Sequence, residues 1–100
     1  MKTLVIRREN AWPSQTELAA TAARSKEVAE SDFPDDIRWI RSYVIAEPGG
    51  RLGTVCIYQA TSPEAVREHA GRVDMPADEV LECIDTVVVR PDPAADSATA

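Results

Sequence analysis

The chain has 100 residues, 11 basic and 17 acidic side chains for a net charge of -6, and two cysteines. A chain of this length makes one domain that buries only about 60–65% of its unfolded surface, which invites a second copy to cover what remains. The acidity, with no concentration of Lys and Arg, argues against a nucleic-acid partner and against anionic membrane surfaces. The opening Met-Lys-Thr-Leu-Val-Ile-Arg-Arg run is too short for a signal-peptide core, and no segment could span a bilayer. A cytoplasmic protein with Cys56 and Cys83 as free thiols is therefore expected.

Thr3 to Arg8 is rich in β-formers and reads as a first strand, broken by Asn10-Ala-Trp-Pro13. Ser14-Gln-Thr-Glu17 is a capping box, in which Ser14 and Glu17 satisfy each other's backbone amides. The helix it opens carries a small and apolar stripe at Leu18, Ala22, Ser25, Val28 and Ala29 and runs to about Ser31. Asp32-Phe-Pro-Asp-Asp36 is a loop. Ile37 to Ala60 then reads as a hairpin whose turn, Glu47 to Gly53, holds three glycines and a proline. Ser62 and Pro63 start a second helix, with Val66, His69, Ala70 and Val73 at helical spacing and Gly71 as a terminator. After the loop Asp74 to Glu79, Val80 to Arg90 reads as a last strand.

The order β-α-β-β-α-β predicts an α+β, ferredoxin-like domain over residues 1–90, with two helices on one face of a four-stranded antiparallel sheet. Residues 91–100, rich in Pro, Ala, Asp and Ser, read as a disordered tail. A chain this short leaves the other sheet face bare. Face-to-face homodimerisation, giving a dimeric α/β barrel with a cavity between the sheets, is the expected cover.

Side chains alternate along strands. Strict alternation places Ile40, Val44, Val55 and Ile57 under the helices. It places Trp39, Arg41, Tyr43, Cys56 and Tyr58 together on the bare face. Aromatic rings with a few polar groups suit a small-molecule cavity or a dimer interface. Aromatic residues on a sheet are more often packing than ligand site, and a mid-strand cysteine is usually a small buried hydrophobe. His69, the single histidine, is the group that titrates nearest neutrality. Cys56 and His69 together could ligate a soft or borderline metal, although two donors are few without a partner's contribution. No phosphate loop, Cys-x-x-Cys, His-Glu-x-x-His or nucleophile elbow occurs.

Trp39-Ile-Arg-Ser-Tyr-Val44, Cys56-Ile-Tyr-Gln-Ala60, Glu64-Ala-Val-Arg-Glu-His-Ala70 and Pro76-Ala-Asp78 occur in that order, preceded by Ala22-Ala-Arg-Ser25. In this the chain resembles a family of small bacterial domains of largely unknown function that includes a nickel-binding protein. The resemblance implies a ferredoxin-like fold, a homodimer and binding of Ni(II), with Cys56 and His69 matching the family pattern. One position departs from it. Relatives often carry a histidine before Ser-Tyr-Val, and this chain has Arg41, whose guanidinium cannot ligate a metal. An anion or acidic small molecule at Arg41 becomes the natural substitute.

Two functions are thus expected from the sequence. The first is a homodimeric binding module for a metal ion or small ligand at the sheet face. The second is a cofactor-free enzyme of the isomerase, cyclase or monooxygenase kind, with Arg41 stabilising an oxyanion, Tyr43 or Tyr58 donating, and His69 as acid or base.

Overall fold

A computed structural model describes residues 1–75, 77 and 79–92. Pro76, Asp78 and residues 93–100, and with them part of one family motif and most of the expected tail, lie outside the described residues. The elements are β1 (Lys2–Trp12), α1 (Gln15–Asp32), β2 (Ile37–Ala46), a short helical turn (Pro48–Gly50), β3 (Leu52–Ala60), α2 (Pro63–Val73) and β4 (Glu79–Cys83). The strands pair antiparallel in the order β2-β3-β1-β4. This is the ferredoxin-like α+β arrangement that the element order predicts.

The helix starts follow the sequence signals. The Ser14 hydroxyl accepts from the Glu17 amide at 3.5 Å, and the Ser62 hydroxyl accepts from the Ala65 amide at 3.1 Å. α1 buries Leu18, Ser25 and Ala29, and α2 buries Val66, His69, Ala70 and Val73. Gly71 does not stop α2. The helix runs on to Val73 and ends where Asp74 takes a left-handed φ of 61°, which lets the Met75 amide reach the Ala70 carbonyl at 2.9 Å. The Arg24 guanidinium donates to the Val73 carbonyl at 2.9 and 3.1 Å, tying the two helices together.

The core is built from Leu4, Ile6, Ala29, Phe33, Ile37, Cys56, Tyr58, Ala60 and Val66. Leu4 pairs with Tyr58 and Ile6 with Cys56 across β1 and β3. Directly paired residues share a sheet face, so the aliphatic parity of β1 carries Cys56 and Tyr58 under the helices. The expected face assignment of β3 is therefore inverted: Val55 and Ile57 lie on the helix-free side. On β2 the pairing shifts between Trp39 and Arg41, opposite Tyr58 and Ile57, which leaves Ile40 as an extra residue. Such a bulge resets the alternation. Trp39 packs on the core with Tyr58, while Arg41 and Tyr43 face the other way.

Two strand ends also differ from the expected ones. β1 continues past Arg8 to Trp12 through an irregular stretch in which Asn10 has φ 52°. This stretch is pinned to the hairpin turn. The Asn10 amide donates to Glu47 at 2.7 Å, Arg7 pairs with Glu47 at 3.2 Å, and Arg51 donates to the Asn10 carbonyl at 2.7 Å. β4 ends at Cys83 rather than Arg90, because its neighbour β1 begins at Lys2 and Thr3 already pairs with Cys83. Among the described residues no strand is left beside Ile84 onward for the Thr-Val-Val-Val run to pair with.

Gly53 sits in this corner. A Cβ there would come within 2.5 Å of the Arg8 carbonyl oxygen and still closer to the Glu47 carboxylate. The backbone oxygen cannot turn aside as a side chain could. Gly53→Ala is expected to destabilise the fold by about 1–3 kcal/mol through overpacking, read as a lower urea midpoint at unchanged slope.

Candidate functional site

The candidate site lies between α1 and the sheet. A cavity of about 230 Å³ opens there, walled by Trp12, Leu18, Ala22, Trp39, Val44 and Met75, with Arg8, Ser42, Thr54, Cys56 and Tyr58 as its polar lining. Its geometry follows from alternation and from the bulge. Arg8 continues the inward parity of Leu4 and Ile6, Thr54 continues that of Cys56 and Tyr58, and the bulge turns Ser42 inward after Trp39. Arg8 is only 2% exposed, Cys56 4% and Tyr58 1%.

A directed set of hydrogen bonds lines the floor. The Trp39 indole donates to Ser42 Oγ at 2.8 Å. The Ser42 hydroxyl donates to Cys56 Sγ at 3.0 Å, and Arg8 Nη1 donates to the same sulfur at 3.3 Å. Cys56 in turn reaches Thr54 Oγ1 at 3.4 Å. Trp39 and Tyr58 stack with an interplanar angle of 11° and centroids 6.2 Å apart. Burial raises the Tyr58 phenol above its ordinary range, an effect that the Ser25 hydroxyl and the Arg8 guanidinium partly offset. Tyr58 is thus held as a neutral phenol.

His69 lies behind this floor, fully buried. It meets Phe33 edge to face at 5.8 Å and Tyr58 at 6.1 Å. Its Nε2 stands 3.0 Å from the Ser25 carbonyl oxygen. A carbonyl can only accept, so Nε2 carries the proton and Nδ1 keeps a bare lone pair. Among the described residues Nδ1 has no hydrogen-bond partner.

Of the sequence-predicted site residues, Trp39, Cys56 and Tyr58 therefore line one cavity, and His69 packs against its wall. They occupy the helix-covered face, not the bare one. Arg41 and Tyr43 lie on the helix-free face, where both engage Asp92. The sheet separates Arg41 and Tyr43 from Tyr58 and His69, so the acid, base and oxyanion groups expected of the enzyme do not assemble. Arg8, Ser42 and Thr54 complete the cavity, and the sequence reading passed over them. The signal for Arg8 was present in its shared parity with Leu4 and Ile6; that for Ser42 depended on the bulge.

The donor set does not fit a nickel ion. Arg8 already donates to the Cys56 sulfur, so a dication there would face a guanidinium across the same atom. Of His69 only the fully buried Nδ1 keeps a lone pair, since Nε2 donates to the Ser25 carbonyl, and with the Cys56 sulfur already engaged that leaves too few donors for a nickel ion. No group of three or more His, Cys, Asp and Glu that could hold a metal occurs among the described residues.

The fold and cavity define a ferredoxin-like domain with a small, mainly apolar pocket beneath its first helix. A family model described as nickel responsive protein SCO4226-like matches residues 4–83, and the chain belongs to that family. The crystal structure of SCO4226 from Streptomyces coelicolor A3(2) superposes with a TM-score of 0.67 at 17% identity, over 85% of this chain and 99% of that one. A likeness at that identity establishes the shared fold. The sequence matches none of the curated proteins with which it was compared. Among the described residues no helix is long and apolar enough to cross a membrane.

Burial holds the His69 ring below the ordinary imidazole range, opposed by the Ser25 carbonyl and assisted by Arg8. The unfolded chain then binds a proton that the folded chain refuses, so stability falls as pH drops through the ordinary value of about 6.5. The urea midpoint of the native chain is expected to decline between about pH 7.5 and pH 5.5, and His69→Phe, which keeps a ring but no titratable nitrogen, is expected to decline less. Parallel slopes for the two proteins would contradict this role.

Proposed function

We propose that this chain is a small homodimeric binding protein of the SCO4226-like family whose ligand is a compact organic molecule rather than a nickel ion. What supports the reading is the convergence of Trp39, Cys56 and Tyr58 with Arg8, Ser42 and Thr54 on one cavity. The volume lies below the roughly 300–1,000 Å³ of drug-sized sites, which points to a small ligand. The walls are mainly apolar and the floor carries polar groups, so the ligand has an apolar body and one anionic or hydrogen-bond-accepting end directed at Arg8 and Thr54. What supports the dimer is the helix-free face, where Ile40, Tyr43 and Leu81 are large side chains left exposed.

Naphthoate and octanoate, an aromatic and an aliphatic acid, serve as probes. At least one is expected to quench tryptophan fluorescence saturably. Ala22→Phe, which fills the cavity from α1, is expected to weaken that binding by at least about tenfold, or 1.4 kcal/mol, while the fold persists by circular dichroism. Saturable binding indifferent to Ala22→Phe would contradict the site. Stoichiometric uptake of Ni(II) that is lost in Cys56→Ser and His69→Phe would favour the metal instead. In sedimentation the native chain is expected to run as a dimer at micromolar concentration.

A further inference from the structure

Beyond Cys83 the chain leaves the β4 edge and runs to Asp92 without regular structure. There it meets the opposite edge strand. The Tyr43 hydroxyl donates to the Asp92 carboxylate at 2.5 Å, and Arg41 forms an ion pair with the same group. Because β4 and β2 are the two edges of the sheet, the segment crosses the full width of the helix-free face. The crossing is loose. Thr86, Val87, Val88 and Asp92 face Ile40, Arg41, Tyr43 and Ile57 around a space of about 640 Å³. Packed protein interfaces hold few voids larger than a water molecule. Ile84, Val87, Val88 and Val89 remain 98%, 85%, 71% and 85% exposed. A run of strong strand formers thus stands over an apolar sheet face and packs on neither side.

We propose that residues 84–92 are exchanged between two copies of the chain, each segment lying across the helix-free face of the other, with Asp92 of one copy held by Arg41 and Tyr43 of the other. Charge complementarity carries the assignment. The face supplies the cation and the phenolic donor, the segment supplies the acceptor, and the same contact forms within a chain or between chains. Exchange of an identical element remakes every contact in the partner, so it costs little. It also brings a second sheet and a second valine run to fill the space that one chain leaves open. The family match ends at Cys83, and the four-stranded sheet is complete there, so the segment is free to leave without breaking the domain. This exchange rests on the homodimer proposed above.

A charge-reversal pair tests it. One variant carries Arg41→Asp and the other Asp92→Arg. Both positions are exposed, so the fold should be unaffected. Within either variant alone, the clasp meets like charges whether it forms in one chain or between two. When the two are mixed, only a clasp between chains finds opposite charges at both ends. Native mass spectrometry of the mixture is expected to show heterodimers at least about tenfold tighter than either homodimer. The pair Arg67→Asp and Glu27→Arg, with the same net charges on the helices, is expected to give a statistical mixture. A statistical mixture from the Arg41 and Asp92 variants, beside a dimeric native chain, overturns the exchange and leaves the homodimer standing. A native chain that stays monomeric at all concentrations overturns both.

Discussion

One extra residue in β2 decides what each face of this sheet can do. Ile40 sits in a bulge between Trp39 and Arg41. Before it, Ile37 and Trp39 point under the helices; after it, Ser42 takes the inward place and Arg41 and Tyr43 turn outward. Without the bulge, Arg41 would follow Trp39 into the space beneath α1, where Arg8 already supplies a buried cation. Two guanidinium groups in one apolar enclosure carry a desolvation cost with no matching gain. The insertion thus keeps Arg41 on the opposite side of the sheet from Arg8. It gives each side its own aromatic residue, Trp39 beneath the helices and Tyr43 on the bare face.

The helix-covered side is specialised by alternation along β1 and β3. Leu4 and Ile6 bring an apolar parity, and Arg8 is the next inward residue of the same strand. Its donation to Cys56 turns what would be a small hydrophobe into the acceptor of two donors, Arg8 and Ser42. The sulfur that a metal would use is thereby engaged. Family membership and local chemistry accordingly speak to different things. The SCO4226-like match describes the scaffold from residue 4 to 83, while the polar floor under α1 is set by the particular side chains of this chain.

Much of the architecture was legible in the sequence. The capping residues Ser14 and Ser62, the stripe of α1 and the Val66, His69, Ala70, Val73 face of α2 all act as their spacing implies, because local hydrogen bonding and helical periodicity need few distant residues. Strand alternation grouped Trp39, Arg41, Tyr43, Cys56 and Tyr58, and three of these, Trp39, Cys56 and Tyr58, do share a face. The side of the sheet they occupy was not legible, because strand parity has no sign until a neighbouring strand supplies one. Here β1 supplied it, through the pairing of Leu4 with Tyr58. The separation of Arg41 and Tyr43 from the rest was hidden by the bulge, which leaves the residue pattern of β2 unmarked. The length of β4 was set by where β1 begins, and the β-propensity of Thr86 to Val89 carries no record of that.

The wall that α1 presents to the cavity combines Leu18 and Ser25, which are also buried anchors of the helix, with the smaller, less buried side chains of Ala19, Thr21 and Ala22. Anchoring and enclosure thus overlap at Leu18 and Ser25, while Ala19 and Ala22 serve enclosure without being core anchors. A larger residue at Ala19 or Ala22 subtracts room from a guest without subtracting contacts from the core. Under the proposed ligand-binding reading, single substitutions at these two positions would reshape the space for a guest at little cost to folding.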